Sequence, residues 1–261
     1  YDAPLQNQPE TERPFMTLPR ILGIALMLAA MVAPQAAIAD ELTADQRNEV
    51  RQIVREYLVQ NPDIVIEAIQ AYQARAEEEK RNGLQAALAD NKNELERDPT
   101  SPVIGNPDGD VTVVEFMDYR CGYCKKVFPA VQELLKTDGN IRYVVKEFPI
   151  LGPDSVVASQ AATAIWLSAP EKYMTFHTAL MEVRGGLSTN RVVAMAEELG
   201  LDGQQVLSGM GSPEVESAIL KNRELAQALG ISGTPAFIIG NQLIPGATSV
   251  ERLRELVAAA R

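Results

Sequence analysis

Val111-Thr-Val-Val-Glu-Phe-Met-Asp-Tyr-Arg-Cys121-Gly-Tyr-Cys124-Lys-Lys126 is the stretch that decides the fold. Its β-branched and aromatic residues read as a strand over Val111–Met117. A short polar turn leads to Cys121 and Cys124, and a helix runs from Lys125 to about Lys136. These are the only cysteines in the chain of 261 residues. A thiol at a helix N-terminus faces the positive end of the helix dipole and free N–H groups, which favour the thiolate. The thiolate is the species that attacks disulfides, so the position itself points to redox chemistry.

Three other uses of such a pair compete with that reading. Zinc sites normally take four ligands, and besides two cysteines the chain offers one histidine, His177. Two thiolates can hold Cu(I), and this alternative stays open beside redox exchange. A structural disulfide closing so small a loop would remove little chain entropy.

Composition bounds the remaining choices. A length of 261 residues allows one or two domains, and 46% hydrophobic residues suit a globular core. The formal charge of -11 argues against a phosphate-binding surface, so nucleic acid is not an expected partner. Arg20 precedes an apolar run from Ile21 that ends in Pro34 and Ala37-Ile-Ala39. That pattern predicts a secretory signal over residues 1–39, cleaved after Ala39, with an uncleaved membrane anchor as the alternative. Met16 is read as the true start, which makes residues 1–15 a mis-assigned extension. Secretion places the chain in an oxidising compartment, where disulfides persist and thiol exchange has substrates.

From Leu42 to about Arg97 only helix is predicted. Val50, Ile53, Val54, Tyr57 and Leu58 form one apolar stripe. Asn61-Pro62 restarts the chain as N-cap and first helical position of a second helix, with Val65, Ile69, Tyr72 and Ala76 on its stripe and Leu84, Leu88 and Leu95 extending it weakly. Residues 40–98 are thus expected to be an arm that buries its stripe by self-association, with folding back onto the rest of its own chain as the alternative. The run Glu77-Glu-Glu-Lys-Arg81 reads as a solvated face.

After Pro102 the pattern is α/β. A second strand is predicted over Ile141–Phe148, and helices over Ala158–Leu167, Glu171–Val183, Asn190–Leu199 and Pro213–Ala228 fill an insert spanning about 153–229. A hairpin over Ala236–Ile239 and Gln242–Ile244, turning at Gly240-Asn241, leads to a closing helix from about Ser249 to Ala260. Strand–helix–strand, helical insert and hairpin–helix give a thioredoxin fold with a helical insertion, preceded by an α-helical arm. His177, Trp166 and Phe176 fall in the insert, the first as an ordinary helix histidine and the others as core.

Two motifs carry a family resemblance. Glu115-Phe-Met-Asp-Tyr-Arg-Cys121-Gly-Tyr-Cys124 resembles the active-site pattern, and Ile231-Ser-Gly-Thr234-Pro235-Ala-Phe237 the cis-proline loop, of the DsbA-type branch of the thioredoxin superfamily. The resemblance spans about residues 100–261, and the preceding arm is similar to the oligomerising segment of ScsC-like proteins.

The resemblance implies an exposed attacking thiolate at Cys121 and a resolving thiol at Cys124. It also implies a cis Thr234–Pro235 bond facing the dithiol, with the Thr234 backbone offered to an extended substrate. Glu115 would be a buried acid relaying a proton for Cys124, accompanied by Lys146 on the neighbouring strand, with a purely structural ion pair as the alternative. No cofactor or metal is implied, the redox group being the Cys121–Cys124 disulfide itself.

Between the cysteines, Gly122-Tyr123 lacks the histidine of the strongly oxidising DsbA type. A potential nearer the roughly -180 mV of protein disulfide isomerase than the roughly -120 mV of DsbA follows, and with it isomerase or reductase activity, a disulfide oxidase being the alternative. The implied partners are unfolded or misoxidised secreted proteins, a membrane thiol reductase of the DsbD or ScsB kind or an oxidase of the DsbB kind, and further copies of the chain. The implied location is the periplasm. Asp118, Lys125 and Lys126 are expected to be solvated charges flanking the dithiol.

Overall fold

A computed structural model describes residues 42–261; the expected signal segment and start at Met16 lie outside the described residues. The chain divides into two compact units, with the boundary between Ala68 and Ile69.

In the described part of the first unit, α1 (Ala44–Gln60) starts at a capping box. Gln46 N–H donates to Thr43 Oγ1 and the Thr43 N–H donates back to Gln46 Oε1, so two otherwise orphaned donors are satisfied. The helix buries none of its residues, and Val50, Ile53, Val54 and Tyr57 are exposed along it. Pro62 then opens α2 (Pro62–Asp90), where its missing N–H costs nothing.

The second unit is built on a five-stranded sheet in the order β1-β3-β2-β4-β5, formed by β1 (Val103–Gly105), β2 (Val111–Met117), β3 (Ile141–Glu147), β4 (Ala236–Ile239) and β5 (Gln242–Pro245). β2 and β3 are parallel and joined through α4 (Gly122–Thr137); the other pairings are antiparallel. The central strands are buried on both faces, which is why they read as nearly continuous apolar runs rather than alternating ones.

Strand alternation sorts the core into two halves. Val113, Met117, Tyr143, Val145, Phe237 and Ile239 point into a cluster completed by α4, α10 (Val250–Ala260) and the insert. Val114, Phe116, Val144 and Ile238 point the other way, onto Leu88 of α2, Leu95 of α3 (Lys92–Glu96) and Leu225. The insert consists of α5 (Pro153–Ser168), α6 (Pro170–Glu182), α7 (Thr189–Glu198), α8 (Gly203–Met210) and α9 (Pro213–Ala228). No described helix is long and apolar enough to cross a membrane.

The expected division at residue 98 therefore moves upstream. Leu88 and Leu95 close one face of the sheet, so the end of the helical segment is core and not arm. Replacing Leu88 with alanine is expected to lower stability by about 2–5 kcal/mol, the cost of a cavity in a packed site. A urea midpoint within error of the parent would show that the helix end is dispensable to the fold.

Candidate active site

β2 ends at Met117, and Asp118-Tyr119-Arg120 turns the chain so that Cys121 becomes the N-cap of α4. Asp118 holds this turn. Its carbonyl accepts the Cys121 N–H, and its side chain accepts the N–H groups of Arg120, Ile150 and Leu151 and the Ser155 hydroxyl. Fully buried, it is not the solvated charge expected from the sequence, because four donors replace its hydration. Lys125 also points inward: its ammonium donates to the carbonyls of Leu180, Met181 and Val183, capping the C-terminus of α6. Lys126 is exposed.

Both cysteines are free thiols. The Cys121 Sγ–H donates to the Thr234 carbonyl at 3.2 Å, across the loop in which the Thr234–Pro235 peptide is cis. That contact lays the sulfur against the loop, so Cys121 is 6% exposed and not the open thiol expected. Cys124, one turn in, has no exposed surface, and burial together with the nearby Glu115 carboxyl pushes its thiol pKa far up. Tyr123, between them, is 66% exposed. Beside the dithiol lies a groove of ≈ 640 Å³ lined by Tyr123, Lys126, Val127, Ala130, Thr234 and Val250, among others.

Glu115 lies buried behind this pair. Desolvation lifts its carboxyl to about 7, against a hydrogen bond at 2.5 Å from the Tyr143 hydroxyl to Oε2 that lowers it. The other oxygen, Oε1, has no hydrogen-bond partner among the described residues.

Lys146 does not accompany Glu115. In the parallel register Glu115 is opposite Val145, and Lys146 is opposite Phe116, so the two side chains leave opposite faces of the sheet. The Lys146 ammonium donates to the Glu94 carbonyl and to Ser101 Oγ, with Asp98 3.6 Å away, and burial lowers its pKa to about 8. Tyr143, not Lys146, takes the expected place beside the acid.

A second buried carboxyl shares the dithiol's face of the sheet. Glu147 accepts from Tyr119 at 2.8 Å and Tyr173 at 3.3 Å on Oε1, and from Ser159 at 2.7 Å on Oε2. His177 Nδ1 lies 2.8 Å from the same Tyr119 oxygen. Tyr119 has one proton to give; when it goes to Glu147, the Nδ1–H of His177 donates to Tyr119. This cluster ties the turn before Cys121 to the insert, a role for His177 beyond that of an ordinary helix residue. Sequence reasoning missed Tyr143 and Glu147, although both lie an even number of residues from Val145, the partner of Glu115.

Burial lifts Glu147 to about 8 and drops His177 to about 3. A raised carboxyl binds its proton more tightly in the folded state, so its contribution is full below about pH 4.5 and is lost as pH rises through the folded value. His177 acts oppositely, but only below about pH 6.5. Between pH 6.5 and 8 the protein is therefore expected to lose stability, on the order of 1 kcal/mol for each of Glu115 and Glu147. Urea melts across that window should flatten in Glu147→Gln; an unchanged slope would refute the assignment.

Residues 112–258 match the family described as DSBA-like thioredoxin domain, and residues 46–79 match the copper resistance protein ScsC N-terminal domain. Among solved structures, a thioredoxin-like oxidoreductase from Silicibacter pomeroyi is 44% identical with a TM-score of 0.63, over 66% of this chain and 98% of that one. Proteus mirabilis ScsC in a transitional conformation is 31% identical with a TM-score of 0.62, over 84% of this chain and 98% of that one. A curated relative, Na(+)/H(+) antiporter NhaA 1 of Salinispora arenicola, is 31% identical over 160 residues, which are 60% of this chain and 24% of the antiporter. The chain thus spans about a quarter of the length of that relative.

Proposed function

Because this chain belongs to the family of DSBA-like thioredoxin domains, in its ScsC-like part, we propose that it is a periplasmic thiol–disulfide oxidoreductase that isomerises or reduces protein disulfides. One observation carries the reading: the Cys121 sulfur lies against the Thr234 carbonyl at the cis-proline loop while Cys124 is enclosed one turn behind it. In this reading Cys121 attacks the substrate disulfide and forms the mixed disulfide, and its carbonyl contact is exchanged for an extended substrate strand at Thr234. Cys124 then attacks Cys121 and releases the substrate, giving its proton to Glu115. The groove flanked by Tyr123 and Val250 receives the neighbouring substrate residues.

Two features favour exchange over one-way oxidation. Gly122-Tyr123 provides no side-chain donor comparable to a histidine beside Cys121, so the reduced form lacks that source of stabilisation. The exposed stripe of α1 suits self-association, which would gather several dithiols in one assembly. A membrane thiol reductase would keep such an enzyme reduced, and a secretory signal would deliver it. Light scattering of the chain from residue 42, compared with one starting at residue 69, should read an oligomer reduced to a monomer; equal masses would remove self-association through α1.

The function is tested with ribonuclease. Reduced protein that restores activity to scrambled ribonuclease supports the isomerase reading. Activity only in oxidising reduced ribonuclease would make the protein an oxidase. Stoichiometric Cu(I) binding with neither activity would make it a metal carrier.

A further inference from the structure

Tyr143 and Glu115 sit on the adjacent parallel strands β3 and β2, on the sheet face that carries the dithiol helix. The titratable groups facing Glu115 are Cys124 from α4, Tyr143 from β3 and Tyr173 from α6. Of these, only Tyr143 bonds the carboxyl, and it engages one oxygen alone. Buried polar atoms are nearly always hydrogen-bonded, so the bare Oε1 is an exception that calls for a reason. An oxygen kept free of structural bonds is available for a proton.

We propose that Tyr143 is a positioning residue for disulfide exchange: its hydroxyl pins Glu115 by Oε2 and leaves Oε1 to exchange the Cys124 proton. The proposal rests on the reading of Glu115 as the proton acceptor and names the group that makes it one. In the resolving step the Cys124 S–H bond breaks and its proton passes to Glu115 Oε1. The resulting thiolate attacks Cys121, the Cys121–Cys124 bond forms, and the bond from Cys121 to the substrate breaks. The substrate sulfur leaves with the electron pair and is protonated from solvent. The substrate disulfide ends reduced and the protein dithiol oxidised; the reverse sequence returns the proton from Glu115 to Cys124.

A phenol suits this task. Burial and the Glu115 charge hold the Tyr143 pKa well above 10, so it stays a donor through the working range. A lysine in its place would add a full charge and favour the carboxylate more strongly. A phenylalanine would leave both oxygens bare, favour the neutral acid and raise the pH at which Glu115 accepts a proton.

The test follows the rate at which reduced protein closes its disulfide against oxidised glutathione, by stopped flow from pH 5 to 9, in the parent, Y143F and E115Q. The expected result is loss of the Glu115-dependent pH step in E115Q and an upward shift of its midpoint in Y143F by about half a unit to one unit. A step abolished by E115Q but unmoved by Y143F would overturn the role of Tyr143 and leave Glu115 as the acceptor. A step untouched by E115Q would overturn both. Should Y143F fail to fold, the infrared carbonyl band lost in E115Q is read in the parent: a hydrogen-bonded frequency supports the proposal, and that of a free carboxyl overturns it.

Discussion

Cys121→Ser is expected to reduce disulfide exchange to the uncatalysed background, because an alcohol at that site cannot form the mixed disulfide. Cys124→Ala has a different expected outcome: the first attack survives and the release does not, so a covalent adduct with substrate accumulates. The asymmetry follows from position. The Cys121 sulfur lies at the Thr234 carbonyl, whereas Cys124 has no exposed surface and a thiol pKa far above that of a free cysteine. Scrambled ribonuclease assays and intact-mass spectrometry read both effects. Substantial activity in Cys121→Ser, or equal adduct formation by the two single variants, would reverse the assignment of roles.

Phe237→Ala carries the largest expected effect on stability, about 3–5 kcal/mol. The ring is fully buried in the larger core and stands opposite Glu115 in the antiparallel register of β4 with β2. Removing it opens a void beside the carboxyl. Desolvation is the main cause of the raised pKa of Glu115, so water entering that void should bring it down toward the ordinary carboxylate range. Urea unfolding checks the first effect and the pH dependence of disulfide closure the second. A loss below about 1 kcal/mol would mean that the neighbours collapse into the space.

Much of the fold is legible in the chain because its signals are local. β2 falls over Val111–Met117 and α9 over Pro213–Ala228, as apolar pattern and flanking turn residues predict. The insert helices agree to within a residue or two except at the start of α5, which Pro153 opens. The elements that escaped reading are short ones. β1 is a three-residue strand paired, among the described residues, only with β3, and α8 has eight residues, too few for a period to stand out. Asp202 caps α8, its side chain accepting the N–H groups of Gln204 and Gln205. The stripe of the arm fades toward Leu88 and Leu95 in the sequence, and its period shows only that a face is apolar, not what covers it.

The site divides along the same line. Sequence alone determined the paired thiols and the strand feeding them, since each is a local signal with its own chemistry; the Thr234–Pro235 loop and the acid at Glu115 followed from the family resemblance of the motifs that hold them. Neither determined what stands beside that acid. Lys146 is one residue from Val145 in sequence and therefore on the wrong face; Tyr143 is two away and therefore on the right one. Only the register of β2 against β3 decides this, because a shift of one residue sends every side chain to the opposite face. The same tertiary pairing turns Asp118 from a surface charge into a buried clamp and gathers Glu147, Tyr119, Tyr173 and His177 from three parts of the chain.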